Sequence, residues 1–196
     1  MSSGQMKVLD LIKKSRSYRR FDEGRPVAAE HLRQMIEAAR FSPSSRNIQP
    51  IKYVICNSPE VNSEIFSTLG WAGYLTDWDG PAEGERPAAY IIQLLDTDIA
   101  GNCSCDNGIT AQSILLQAVE LGYGGCIIAS VKRERLSNIL GIDARYPIIQ
   151  VIALGVPVEK VVVDDMINND YKYWREENET HHVPKRTVDE LILKEF

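Results

Sequence analysis

Two short segments carry most of the chemistry that the residue types allow. The first is Arg16-Ser17-Tyr18-Arg19-Arg20. Guanidinium groups are rigid forks of N–H donors, and with a hydroxyl among them they suit the oxygens of a phosphate. A solvated basic turn pairing with Asp22 and Glu23 is the plainer alternative. The second segment is Ser42-Pro43-Ser44-Ser45-Arg46-Asn47-Ile48-Gln49-Pro50. Its prolines bracket hydroxyls, two amides and a guanidinium, a set too polar and too constrained for an ordinary connector. It reads as one wall of a polar ligand site. A further basic pair, Lys185-Arg186, follows Pro184 and is uninformative alone.

The common catalytic sets do not occur. There is no G-x-S-x-G and no P-loop. Gly122, Gly124 and Gly125 follow a helix pattern and precede a strand, so the dinucleotide-binding spacing fails. Taken alone, these glycines read most simply as a left-handed helix cap. His31, His181 and His182 have no evident serine or cysteine partner and are expected at the surface. Cys103-Ser104-Cys105 lacks a second ligand pair at metal spacing, so no metal is expected. The thiols read as reduced ones in a cytoplasmic protein, with Cys56 and Cys126 as small buried hydrophobes. Phosphate-friendly loops without catalytic side chains point to a cofactor that carries its own chemistry.

These segments need a scaffold, and the apolar spacing supplies one. Helices are expected over 6–14, 27–40, 60–69, 109–121 and 134–140. Asp106 or Asn107 is the expected N-cap of the fourth. Strands are expected over 51–56, 88–95, 126–131 and 148–154, the second interrupted only by Gln93. From 164 to 182 the chain turns polar, with scattered aromatics and no apparent core of its own. Such an arm favours an intertwined dimer. The 196 residues suit one domain. A net charge of −5 gives no support to a nucleic-acid or acidic-membrane partner. No apolar run reaches membrane-spanning length, and MSSGQMKVLDLIKK reads as a polar tail entering a helix, not a signal peptide.

In this order the motifs resemble those of the FMN-dependent nitroreductases. Arg16 to Phe21 is similar to that family's R-S-x-R-x-F phosphate motif, and Ser42 to Pro50 to its S-P-S-x-x-N-x-Q-P motif. The helix over 109–121 with Gly122 to Cys126 resembles its central helix and glycine-rich strand entry. Ala153 to Pro157 resembles its LG-x-P turn, and Lys185-Arg186 its closing basic motif. One departure is Ser15, where many members carry arginine; it bears on phosphate affinity, with Lys14 or Arg19 placed to compensate.

The resemblance implies an α+β, three-layer α/β/α fold around a mixed, mostly antiparallel sheet. It implies a single FMN-binding domain over 1–196, with 158–196 packing on the partner of a homodimer. Arg16, Ser17, Arg19, Lys185 and Arg186 would hold the FMN phosphate. Pro43, Ser44, Ser45 and Asn47 would come from the other subunit, with Gln49 toward the pyrimidine edge. The backbone of Ile128, Ala129 and Ser130 would approach flavin N5 and O4, and Trp71, Tyr74 and Trp78 would line the substrate pocket. No side chain is expected to be catalytic. The implied activity takes a hydride from NAD(P)H and reduces nitroaromatics, quinones or similar acceptors by a ping-pong mechanism. A same-fold dehydrogenase or dehalogenase, or a non-catalytic FMN store, is the alternative.

Overall fold

The computed structural model describes residues 7–196. Met6, counted above in the first helix, lies outside them. The scaffold is organised around β3 (Ala89–Leu95), an apolar run in which every residue is buried. It pairs antiparallel with β2 (Ile51–Cys56) on one edge and β5 (Ile148–Pro157) on the other. The far edge of β5 takes β4 (Gly124–Ile128), and its C-terminal end takes the two-residue β1 (Phe21–Asp22). All four pairings are antiparallel.

Successive strand residues point to opposite faces, so one apolar run feeds two cores. Ala89 and Ile91, with Ile152 and Leu154, meet Leu32, Met35 and Ala39 of α2 (Ala29–Arg40) and Ala111, Ile114 and Ala118 of α4 (Asp106–Glu120). Tyr90, Ile92 and Leu94 face the other way, toward Ile65 of α3 (Pro59–Phe66) and Leu136 of α5 (Arg133–Leu140). Each buried Leu, Ile or Met among them contributes about 1.5–3 kcal/mol relative to exposure. Helices on both faces give an α/β/α sandwich of the α+β class. The helix α1 (Val8–Lys14) lies against α4 and buries none of its residues.

Gln93 is the polar exception in β3. It stands in register with Tyr53 of β2 and Gln150 of β5, forming a polar row across three strands. Gln150 donates to Gln93 at 2.5 Å, and Gln93 donates to Thr110 of α4 at 2.9 Å. The row therefore fixes the N-terminal part of α4 against the sheet.

Three expectations need correction. The polar C-terminal region adds no residue to either core cluster, but it holds a small sheet that takes its histidines off the surface. There β6 (Val161–Asp165) pairs parallel with β8 (His181–Lys185), which pairs antiparallel with the short β7 (Trp174–Arg175). Hence His181 is fully buried and His182 is largely enclosed, stacked on Trp174 at 4.9 Å, rather than exposed. Nor is Asp106 or Asn107 the N-cap of α4. Cys105 occupies that position without a side-chain cap, because Asp106 is already the first helical residue and bonds elsewhere. Of Gly122, Gly124 and Gly125, Gly122 is the left-handed cap, with φ +86°; Gly124 and Gly125 belong to β4. The last element, α6 (Val188–Leu191), starts in a capping box between Thr187 and Glu190.

Candidate active site

The Ser42–Pro50 loop leaves the C-terminus of α2 and enters β2 under strain. Arg46, Asn47 and Gln49 all have φ between +52° and +55°. Each left-handed residue that is not glycine costs about 1 kcal/mol or more, so the surroundings must hold this shape. Asp106 does much of the holding. Its carboxylate accepts from Ser44 Oγ at 2.6 Å and from the Ser45 amide at 2.9 Å. Ser44 Oγ in turn accepts from the Gln49 amide at 2.8 Å. The Gln49 side chain donates back to the carbonyl and side-chain oxygen of Asn47, both at 3.1 Å. Ser42 is tied to Ser113 of α4 at 2.7 Å. Pro43, Ser44 and Gln49 line a cleft floored by Tyr53, Asp106 and Thr110. Asp106 belongs to this site without any sequence motif marking it; its only signal is a carboxylate at a helix start.

The basic segment is anchored by the glycines. Ser17 bridges Gly125 in parallel fashion, and the Tyr18 amide donates to the Gly125 carbonyl at 3.1 Å. A Cβ on Gly124 would stand 2.5 Å from the Tyr18 ring, so only glycine admits that approach. Burial pushes the Tyr18 hydroxyl above its ordinary range, with Arg16 acting against the shift.

Arg16, Ser17 and Arg19 share a cleft of about 300 Å3 with Lys185 and with Tyr173, His181 and Val183. Residues from the two ends of the chain thus converge. Arg19 Nη1 donates to the Ser17 carbonyl and lies 3.2 Å from His181 Nε2, and its guanidinium stacks over Tyr173 at 4.8 Å. An arginine can only donate, so His181 Nε2 accepts and its proton sits on Nδ1. Burial, with Arg19, Arg175 and His182 close by, pushes the His181 pKa down to about 4. The Arg19 amide donates to the buried Glu159, which also takes a contact from Arg175 at 3.3 Å. Burial holds the Glu159 carboxyl above its usual range, against the pull of the Arg19 amide and the two arginines.

Two neighbours of this set lie elsewhere. Arg20 is held by Glu85 at 2.6 and 2.7 Å and by Glu179 at 2.7 Å. Arg186 donates to Asn169 at 2.8 Å and faces Glu190 at 3.6 Å, outside the cleft that holds Lys185. Donors suited to an anion remain in the cleft. Arg16 gives one bond to the Ile12 carbonyl at 2.7 Å, while its Nε is buried without a partner. The cleft's three cations and the Ser17 hydroxyl therefore fit a phosphate group.

At the end of β4, Ile128 is buried while Ala129 and Ser130 are exposed. The Ser130 carbonyl accepts from the Gly70 amide at 2.8 Å, and the Ala129 carbonyl accepts from Arg133 at 3.1 Å. The backbone here is thus fixed from behind, beside short side chains. The three aromatics expected in a substrate pocket separate. Trp71 packs on Phe66 against the second core, with ring centroids 5.6 Å apart. Tyr74 and Trp78 line a different cleft, where Tyr74 meets Tyr173 at 5.0 Å and Trp78 carries Arg175 at 4.5 Å. Burial pushes the Cys126 thiol up to about 12, consistent with an inert packing role.

Comparison with known proteins gives the family and the fold. The family model described as "Nitroreductase family" matches residues 12–93 and 104–156. An NADPH-dependent oxidoreductase from Staphylococcus saprophyticus is 26% identical over 164 residues, covering 76% of this chain and 64% of that protein. The crystal structure of a nitroreductase family protein from Streptococcus pneumoniae TIGR4 superposes with a TM-score of 0.69 at 20% identity, covering 96% of this chain and 100% of that one. The FMN-dependent nitroreductase from Clostridium difficile R20291 gives a TM-score of 0.64 at 22% identity, covering 87% and 99% respectively.

Proposed function

We propose a function from the premise that the chain belongs to the nitroreductase family: it is an FMN-dependent oxidoreductase that uses NAD(P)H to reduce nitroaromatic, quinone or similar acceptors. The observation that carries the reading is the meeting of Arg16, Ser17 and Arg19 with Lys185 in one cleft. FMN, when bound, supplies the redox chemistry between NAD(P)H and the acceptor. Arg16, Arg19 and Lys185 neutralise its phosphate, and Ser17 adds a hydroxyl donor. Arg186, engaged by Asn169 outside this cleft, is not part of that hold.

Above the cofactor, Pro43, Ser44, Ser45, Asn47 and Gln49 of the partner subunit form the cover. Backbone groups of Ile128, Ala129 and Ser130 offer fixed dipoles to the ring edge, where negative charge develops on reduction. Both substrates would use one face, which gives ping-pong kinetics. No side-chain acid is needed.

Homodimerisation is part of the proposal. The helix α1 leaves Val8 and Leu9 mostly exposed, and the C-terminal segment leaves Leu191, Leu193 and Phe196 exposed. Apolar faces of this kind suit a second copy of the chain. The test is an absorption spectrum of the purified protein, then anaerobic titration with NADH and NADPH. Flavin bands that bleach with either nicotinamide, and turnover with a nitroaromatic or a quinone, are expected. Failure to oxidise either nicotinamide with any acceptor overturns the reading.

A further inference from the structure

The first residue of α4 makes no use of its position in the usual way. Asp106 is 2% exposed, yet its carboxylate reaches across to the Ser42–Pro50 loop instead of capping its own helix. The positive end of the 15-residue α4 supports the anion there. The two bonds it accepts hold Ser44 and Ser45, just before the left-handed residues Arg46, Asn47 and Gln49. Ser44 Oγ passes the constraint on by accepting from the Gln49 amide. Behind Asp106, its own carbonyl accepts from Thr110 Oγ1 at 2.8 Å, and Thr110 takes the Gln93 amide at 2.9 Å. An unbroken set of hydrogen bonds therefore runs from the centre of the sheet to the loop.

We infer that Asp106 is a positioning residue for the cofactor: it fixes the loop shape that presents Ser44, Ser45, Asn47 and Gln49 to flavin. This rests on the FMN reading given above. The role is distinct from holding the fold, since the carboxylate's partners lie in the loop and not in either core.

The test compares the full-length protein with Asp106→Ala, Asp106→Asn and Ser44→Ala. Two measurements are made on each: hydrogen exchange of the loop amides in flavin-free protein, and FMN affinity by flavin fluorescence. Visible circular dichroism of the bound flavin adds a reading of ring environment. In Asp106→Ala the amides of 45–49 should lose protection and the FMN Kd should rise about tenfold, the scale of one hydrogen bond to a charged group. Asp106→Asn keeps one acceptor oxygen for the Ser45 amide and should recover much of both. Ser44→Ala should fall between and alter the dichroism. A loop still protected in Asp106→Ala overturns the clamp. A loosened loop with an unchanged FMN Kd overturns the positioning role. Should Asp106→Ala fail to fold, Asp106→Asn and Ser44→Ala give the same two readings. Unaltered protein that binds no FMN defeats the functional reading and the positioning role together, while loop exchange still decides the clamp.

Discussion

Gly125→Ala should destabilise the protein. A Cβ built at Gly125 stands 2.3 Å from the Ala153 carbonyl oxygen and 2.9 and 3.0 Å from methyl groups of Leu154 and Leu115. The oxygen belongs to the backbone of β5, and Ala153 is paired with Tyr90 on one side and Cys126 on the other. It can retreat only by straining ladders on both edges. Overpacking of a well-ordered core costs about 1–3 kcal/mol, and a backbone neighbour puts this site at the upper end. The lower chain entropy of alanine in the unfolded state returns about 0.4–1 kcal/mol. A net loss of about 2 kcal/mol corresponds to about 4–8 °C in melting temperature for a chain of this size. Thermal melts of flavin-free protein, at matched protomer concentration, give the measurement. A melting temperature within about 1 °C of the unaltered protein would refute the reasoning. The adjacent Gly124→Ala is the control. Its Cβ would meet the side chains of Tyr18 at 2.5 Å and Pro157 at 2.6 Å, which can yield. Tyr18 moves with Ser17 and Arg19, so Gly124→Ala should lose FMN affinity more than stability.

Lys185→Ala and Arg16→Ala should each weaken FMN binding about tenfold or more, with an effect that shrinks at high salt. Arg20→Ala, which breaks the pairs with Glu85 and Glu179, should lower the melting temperature and leave FMN affinity near that of the unaltered protein; titration and melts separate the two. Gln93→Leu should cost about 1–3 kcal/mol in denaturant unfolding, because buried Gln150 and Thr110 each lose a partner. His181 titrates near 4 when folded and near 6.5 when unfolded. Below about pH 6.5 the unfolded chain therefore binds a proton that the folded chain refuses, and stability falls as pH drops from about 6.5 through about 4. The loss attributable to His181 is at most about 3 kcal/mol, and His181→Gln should flatten that slope in melts across the window. Glu159, raised above its usual range, opposes this: the stability it adds in acid is lost as pH rises through its folded pKa.

What was legible in the sequence was local. Pro43, Pro50 and the hydroxyls between them marked the loop because turn residues act on their own backbone. The run Ala89–Leu95 marked a strand covered on both faces because its apolar residues do not alternate. The C-terminal sheet escaped for physical reasons. Two-residue strands such as β1 and β7 have no period to detect. Pro184 argues against a strand, yet β8 contains it, and the β6–β8 pairing is parallel and distant in sequence. Asp106 was visible as a residue but not as a partner of Ser44, since nothing between positions 44 and 106 records that contact. Glu159, buried against Arg175 and the Arg19 amide, left no pattern at all.

The construction of the basic cleft would link affinity for an anionic cofactor to the closure of the whole fold. Arg16 and Arg19 arrive before β1, whereas Lys185 arrives at the end of β8, after almost the entire chain has been placed. Three cations in one cleft repel one another, and Glu159 offsets only part of that, through the Arg19 amide and charge. An anion that occupies the cleft relieves the repulsion and ties the first helix region to the last sheet. It must therefore bind the folded chain better than any partly open form in which β8 has left β6. By linkage, FMN at a hundred times its Kd should raise stability by about 2.7 kcal/mol. Riboflavin has the same ring without the phosphate and should raise it far less. Equal stabilisation by the two would mean that the Arg16–Lys185 cleft does not receive the phosphate.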